Sequence, residues 1–460
     1  MYIKNITYNN AFGIAKVKVC YDSQEKRERM EIETLKRSHL KRNIIITVVV
    51  VAIISAIILT FTRAKFKNTE SIPLVNGTIN YSLADLNIVA IKVDGREVDT
   101  LPDGNYELTS ESYCTINNEK DNNIKLSYDS ESKTLTVTPM TKKGTKCYLY
   151  FDEQKILLAD AIKRDNQINS ENPNFASVAT TNDGVYKAED DWGDSYYFRG
   201  AVTNNWVKFA GYYWRIIRIN GDGSIRLIYN GTSTATTGTN TQISTSVFNN
   251  SYNNNMYVGY MYTNYQVHGL GSSSTIKGVL DSWYQTNIAN KGHGSKVSTE
   301  AGFCGDREPS TSSSTSNGTG GTGTTETYYG GYIRLVNNTK SPTLKCKNSS
   351  DLYTVSESSK GNKALSNPVG LITADEVAFA GGVYGQTNQS YYLYTSKDYW
   401  TLSPACLSTK SSIAYMFYVS ESSSLEIYIN GTIGVRPVIN ISSNVAIKSG
   451  NGSASTPYEI

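Results

Sequence analysis

The chain has 460 residues, 44 Lys/Arg against 41 Asp/Glu, a formal net charge of +3 and only 18% charged residues. That length holds two or three domains with substantial cores, and the sparse, nearly balanced charge excludes a nucleic-acid binder by composition. The balance is uneven: residues 1–43 carry ten Lys/Arg against five Asp/Glu and the remainder 34 against 36, so the basic part is a short tail on a nearly neutral body.

Residues 1–43 read as a cytosolic basic tail, too short for a domain, whose "EKRERMEIETLKRSHLKR" segment is a charged stem. From Ile44 to Phe61 the chain reads "IIITVVVVAIISAIILTF", eighteen residues without a charge. At about 1.5 Å per residue such a run matches the hydrocarbon thickness of a bilayer. The expectation is a transmembrane helix over 44–62, with the lipid bilayer as a partner. Lys26, Arg27, Arg29, Lys36, Arg37, Lys41 and Arg42 precede it, whereas only Arg63, Lys65 and Lys67 follow. The positive-inside rule then places the N-terminus in the cytosol and the body outside, as a single-pass cell-membrane protein.

Residues 71–152 are expected to form a small all-β domain, an immunoglobulin-like sandwich. "IVAIKVDGREVDTLP" carries an Asp-Gly turn between apolar runs, and "KLSYDSESKTLTVTPM" and "TKCYLYF" alternate like strands. Cys114 and Cys147 are expected to pair within it, since a domain this small gains roughly 2–4 kcal/mol from such a bond. A helix ("EQKILLADAIKRDNQ") and polar linker fill 153–185, and a second domain spans 186–460.

The second domain opens with a hairpin signal, "GYYWRIIRINGDGSIRLIYNG", two β-rich runs joined at Asn220-Gly221-Asp222-Gly223. Asn220 and Asp222 lack the further acids and closing Glu of a calcium loop. Next, "NNSYNNNMYVGYMYTNYQVHG" interleaves Tyr252, Tyr257, Tyr260, Tyr262 and Tyr265 with Asn and Gly, in a chain holding 34 Tyr against 11 Phe. Amphipathic rings among adaptable hydrogen bonders are the vocabulary of binding surfaces; tyrosines equally suit half-buried strands. With Trp283, Tyr392 and Trp400, these rings are the candidate ligand-binding residues, expected to form one exposed aromatic surface. "STIKGVLDSWYQTNIAN" puts Ile276, Leu280, Trp283 and Ile288 on one helix face, with Ser274 as N-cap. Around 310–327, "STSSSTSNGTGGTGTTET" is low-complexity and expected to be a surface loop.

"VGLITADEVAFAGG", Val369 to Gly382, reads as a further helix. Thr373 and Glu376 stand three apart before an apolar run that ends in two glycines. That is a capping box, so Glu376 is assigned a structural duty and Glu376→Gln is expected to be mild. The segment resembles the Thr-x-x-Glu-aromatic-x-aromatic-Ala stretch of the formylglycine-generating-enzyme (sulfatase-modifying factor) family: Thr373, Glu376, Phe379 and Ala380 fall in register, and Val377 replaces the family's usual tryptophan. "GVRPVINI", with Gly434 and Arg436, is similar to that fold's closing strand, which buries an arginine, and "YWTLSP" (Tyr399 to Pro404) sits between the two. The stretch from about 186 to 450 also resembles uncharacterised bacterial surface domains. The resemblance implies a C-type-lectin-like domain and an α+β class overall.

The resemblance does not extend to the enzyme activity. The oxygen-activating members bind copper through a C-terminal cysteine pair, and this chain offers only Cys406 there. Cys304 and Cys346 flank the low-complexity loop and are expected to bond to each other, leaving Cys406 unpaired. No CxxC, HExxH or GxSxG occurs, so zinc, metalloprotease and α/β-hydrolase chemistry lack support, as does any cofactor. Ser274-Thr275-Ile276-Lys277 matches SxxK, without the spaced companions a penicillin-binding enzyme requires. The sequence therefore points to a surface protein that binds an extracellular glycan or protein ligand; a glycan-acting enzyme with an unassembled site, or a passive structural protein, are the alternatives.

Overall fold

The computed structural model describes residues 86–460 apart from 103, 131, 140–143, 311–319, 337–339, 422–428 and 430, together with the strands Tyr2–Asn10, Gly13–Tyr21 and Glu70–Pro73. Strand accounts for 37% and helix for 14%. The α+β class expected above is thereby corrected: the protein is mostly β. The physical reason is local. Apolar runs are short and are punctuated by Gly and Asn turns, and the longest described helix, Thr275–Tyr284, has only 10 residues. Among the described residues no helix is long and apolar enough to cross a membrane, which corrects the expected single-pass, N-in placement with an extracellular body. Ile44–Phe61, the basic stem before it and half of the low-complexity segment lie outside the described residues.

The chain divides into two compact units. The first comprises Met1–Pro73, Ile79–Val89 and Tyr113–Tyr148. In it, Thr134–Thr138 is the centre of a three-stranded antiparallel sheet, flanked by Glu70–Pro73 and Lys125–Asp129. Leu135 and Val137 alternate inward, as period-2 patterning requires. Cys114 and Cys147 face each other in antiparallel register and are disulfide-bonded.

The second unit comprises Leu74–Thr78, Ala90–Ser112 and Leu149–Ile460. Its larger sheet runs Ile168–Asn169, Asn182–Asp190, Gly193–Gly200, Tyr212–Ile219, Trp206–Phe209, Tyr458–Glu459, with Ile225–Tyr229 bridging Tyr212–Ile219 to Val438–Ile441. Tyr212–Ile219 and Ile225–Tyr229 form the expected hairpin, closed by Asn220 N–H donating to Ser224 C=O. Gly221 is required at this turn: a Cβ there would lie 2.5 Å from the Asp190 carboxylate. The smaller sheet is built on Tyr399–Ser408, paired with Ile413–Val419, Thr327–Tyr328 and Ile433–Val435.

One core joins these elements. It includes Trp214, Ile216 and Leu227 from the hairpin, Ile276 and Leu280 from the helix Thr275–Tyr284, which carries Trp283 (the tryptophan helix), and Val377, Trp400, Leu402 and Ile439. Helix Leu158–Asp165 belongs to the same core through Leu158, Ala161 and Ile162.

Candidate functional site

Arg218 and Arg226 are direct partners across the hairpin. Like charges placed opposite on a sheet repel, and both side chains are buried. The compensation comes from the short helix Ala374–Phe379. Its capping box is present, with Thr373 Oγ1 accepting from the Glu376 N–H and the Glu376 carboxylate accepting from the Thr373 N–H. That cap aims Glu376 at the hairpin, where Oε1 lies 3.1 Å from Arg218 Nε and 2.5 Å from Arg226 Nε. Burial works to raise the Glu376 pKa, but Arg226 and Arg218 outweigh it and hold the carboxyl below its usual range. Arg218 Nη1 also donates to Asp190 Oδ2 (2.5 Å), which in turn accepts from Gly221 N–H.

A second knot lies beside the first. Arg334, on the helix Gly330–Leu335, donates from Nη2 to Asp306 Oδ2 (2.6 Å) and to Asp375 Oδ2 (2.7 Å), and from Nε to Asp375 Oδ1 (2.9 Å). Asp375 Oδ1 also accepts from Thr343 N–H. Burial raises the Asp306 pKa, Arg334 opposes and Asp375 adds, leaving it at about 6.

Arg218, Arg226, Thr373, Glu376, Asp306, Arg334, Thr343 and Asp375 together line a cleft whose enclosed part has room for about one or two water molecules. Asp191, Trp192, Leu344 and Lys345 form part of its wall, along with Cys304. Cys304 is disulfide-bonded to Cys346. The Cys346 N–H donates to both Asp191 oxygens at 3.1 Å, and burial raises the Asp191 pKa. Trp192 is half-buried, donating from Nε1 to Glu300. The Lys360 ammonium lies 5.7 Å from its ring centroid. No group of three or more metal-ligating side chains occurs among the described residues.

The aromatic residues singled out from the sequence do not form this site, nor one exposed surface. Tyr260 is 1% exposed and donates its hydroxyl to Val369 C=O. Trp400 is core, with Nε1 bonded to Ser246 C=O, and Tyr392 is core beside Arg215. Trp283 is partly buried among Tyr212, Trp214 and Tyr229. Tyr257 and Tyr262 are half-buried and meet edge to face, so that only Tyr252 (39%) and Tyr265 (79%) stand out into solvent. Tyr260 and Trp400 are buried with their polar atoms bonded to backbone carbonyls, and Trp283 and Trp400 turn inward from a helix and a strand of the core.

Arg436 is fully buried, donating to Tyr229 C=O, Leu393 C=O and Asn230 Oδ1. Cys406 is unpaired, and burial pushes its thiol up to about 12, far from a nucleophile's range. In the SxxK segment, Ser274 is the helix N-cap, accepting from Lys277 N–H, whereas the Lys277 ammonium pairs with Asp281.

Sequence reasoning missed Asp191, Trp192, Asp306, Arg334 and Asp375. A signal existed: "RIIRINGDGSIRL" plants three arginines in strands that are otherwise apolar, and buried arginines demand carboxylates from elsewhere. No family model, no curated protein and no solved structure matches this chain.

Proposed function

We propose that residues 149–460 work as a recognition module that binds a neutral, hydroxyl-rich ligand, a saccharide, at the mouth of the cleft walled by Trp192, Asp191, Arg334 and Asp306, with a hydroxyl reaching inside. The observation that carries this reading is charge balance within the cleft. Glu376 is committed to Arg218 and Arg226, and Asp306 and Asp375 to Arg334. A charged ligand competing for any of these paired groups would strip it of its partner, which is costly when the group left behind is buried; Asp191, whose carboxylate accepts from the Cys346 N–H, offers a further acceptor to a hydroxyl. A sugar hydroxyl accepts from a guanidinium and donates to a carboxylate at once, so it joins the network without breaking it. Trp192 supplies the apolar wall that such pockets combine with a few convergent polar groups. The same commitments argue against an acid–base pair at work.

One observation favours a second reading, hydrolysis of a glycan. An Asp306 carboxyl titrating near 6 could hand over a proton at near-neutral pH.

A panel of neutral mono- and oligosaccharides screened against the purified chain by ligand-observed NMR tests the proposal. Saturation transfer to at least one sugar is expected, with its loss in Trp192→Ala. Failure of every neutral sugar, or capture of a protein through Tyr252 and Tyr265 instead, would sink it.

A further inference from the structure

Lys277, Asp281 and Gln285 stand four residues apart along the helix Thr275–Tyr284 and its continuation Gln285–Ala289, so one stripe of the helix presents all three. Lys277 is only 3% exposed, an unusual place for a lysine, and its Nζ lies 2.5 Å from Asp281 Oδ2. The other oxygen of the same carboxylate, Oδ1, accepts from Nδ2 of Asn367, 3.0 Å away and itself buried. Gln285 Nε2 donates to Asn367 Oδ1. A carboxylate only accepts, so Asp281 fixes the amide with its nitrogen toward the acid and its carbonyl toward Gln285. An amine and an amide nitrogen thus meet opposite oxygens of one carboxylate, the amide carbonyl is polarised by a hydrogen bond, and the ammonium lies 5.8 Å from the centroid of the Tyr260 ring.

We propose that Lys277 and Asn367 are joined by an intramolecular isopeptide bond that the chain forms by itself. The balance of the step needs no other reactant. Asp281 takes a proton from the Lys277 ammonium, and the Nζ lone pair attacks Asn367 Cγ. The carbonyl electron pair moves onto Oδ1, which accepts the Gln285 N–H. Asp281 passes its proton to Nδ2 and receives the next one from Nζ. The carbonyl re-forms, the Cγ–Nδ2 bond breaks and the amide nitrogen leaves as ammonia, which takes the second proton from Asp281 and departs as ammonium, carrying away the charge that began on Lys277. Asp281 is the catalytic residue, since it touches both reacting nitrogens, and Gln285 polarises the carbonyl. The product ties the tryptophan helix covalently to the segment that pairs at Gly370 with Val438 of the large sheet.

The measurement is the intact mass of the full chain after disulfide reduction, followed by peptide mapping. The expected result is a chain lighter than its sequence mass by one ammonia, with a branched peptide linking Lys277 to Asn367. Lys277→Arg keeps a cation opposite Asp281 but supplies no attacking amine; it is expected to fold, checked by circular dichroism, and to carry the full mass with no branched peptide. Asp281→Ala is expected to lose the link as well. A wild-type chain at its full sequence mass, an ammonia loss mapped to another residue, or a branched peptide that persists in Lys277→Arg would each overturn the proposal.

Discussion

Glu376 and Arg226 form a 2.5 Å ion pair in which both side chains are more than nine-tenths buried. Because the same carboxylate oxygen also meets Arg218, this acid bridges two arginines that face each other across a hairpin, and Asp190 supplies the second counter-charge. The capping box is therefore the lesser part of its duty. Glutamine at 376 would keep the cap but leave the buried Arg226 guanidinium without an ion-pair partner and Arg218 with Asp190 alone. Glu376→Gln is expected to cost about 3–5 kcal/mol, the usual penalty for breaking a buried pair. Thr373→Ala removes only a cap and should cost about 1 kcal/mol. Urea unfolding of both variants checks the order. Equal, small losses would mean that the network contributes little.

Sequence patterning is informative here only over short distances along the chain. The hairpin at Asn220–Gly223, the cap at Ser274, the box at Thr373–Glu376 and both disulfides were legible, because each depends on residues close in sequence or on cysteine arithmetic. The α+β class was not. Short apolar runs cannot distinguish a buried strand from a helical turn, and tertiary packing made them strands. The cleft was illegible for another reason. Asp306, Arg334 and Asp375 lie far apart in the chain and meet only through folding. The tyrosines misled because a half-buried strand and a binding loop use the same rings.

The pH dependence of stability follows from Asp306, whose pKa rises from its ordinary 3.8 to about 6. Between those values the folded chain holds a proton that the unfolded chain has released. This group's stabilising contribution is complete below the unfolded pKa and is lost as pH rises through the folded one. Stability of wild type relative to Asp306→Asn should accordingly be greater at about pH 4 than at about pH 7. Urea melts at the two pH values provide the check, and an opposite trend would place Asp306 in a salt bridge that lowers its pKa.

Burial separates the tyrosines. Tyr260 is 1% exposed, whereas Tyr265 is 79% exposed. Replacing Tyr257, Tyr260 and Tyr262 together with Ala should destabilise the second unit by several kcal/mol, mostly through the cavity at Tyr260. Tyr265→Ala should change stability by less than about 0.5 kcal/mol. Thermal unfolding compares them, and a triple variant melting like wild type would place Tyr260 at the surface.

The Cys304–Cys346 bond closes a 42-residue separation beside the cleft. Changing both cysteines to Ser should cost about 2–4 kcal/mol. It should also loosen the Cys346 N–H that holds Asp191. Non-reducing peptide mapping is expected to return this pair and Cys114–Cys147, with Cys406 unpaired. A link to Cys406 would contradict the arrangement.

Recovering the ligand after binding bears most directly on the account of the cleft as a non-catalytic recognition site. The saccharide identified by the screen would be titrated into wild type, Trp192→Ala and Tyr265→Ala by calorimetry, incubated with excess wild-type chain, and then weighed by mass spectrometry. The account predicts binding to wild type and Tyr265→Ala, loss of binding in Trp192→Ala, and a sugar recovered intact. Cleavage of the sugar that stops in Asp306→Asn, or undiminished binding by a folded Trp192→Ala, would contradict it.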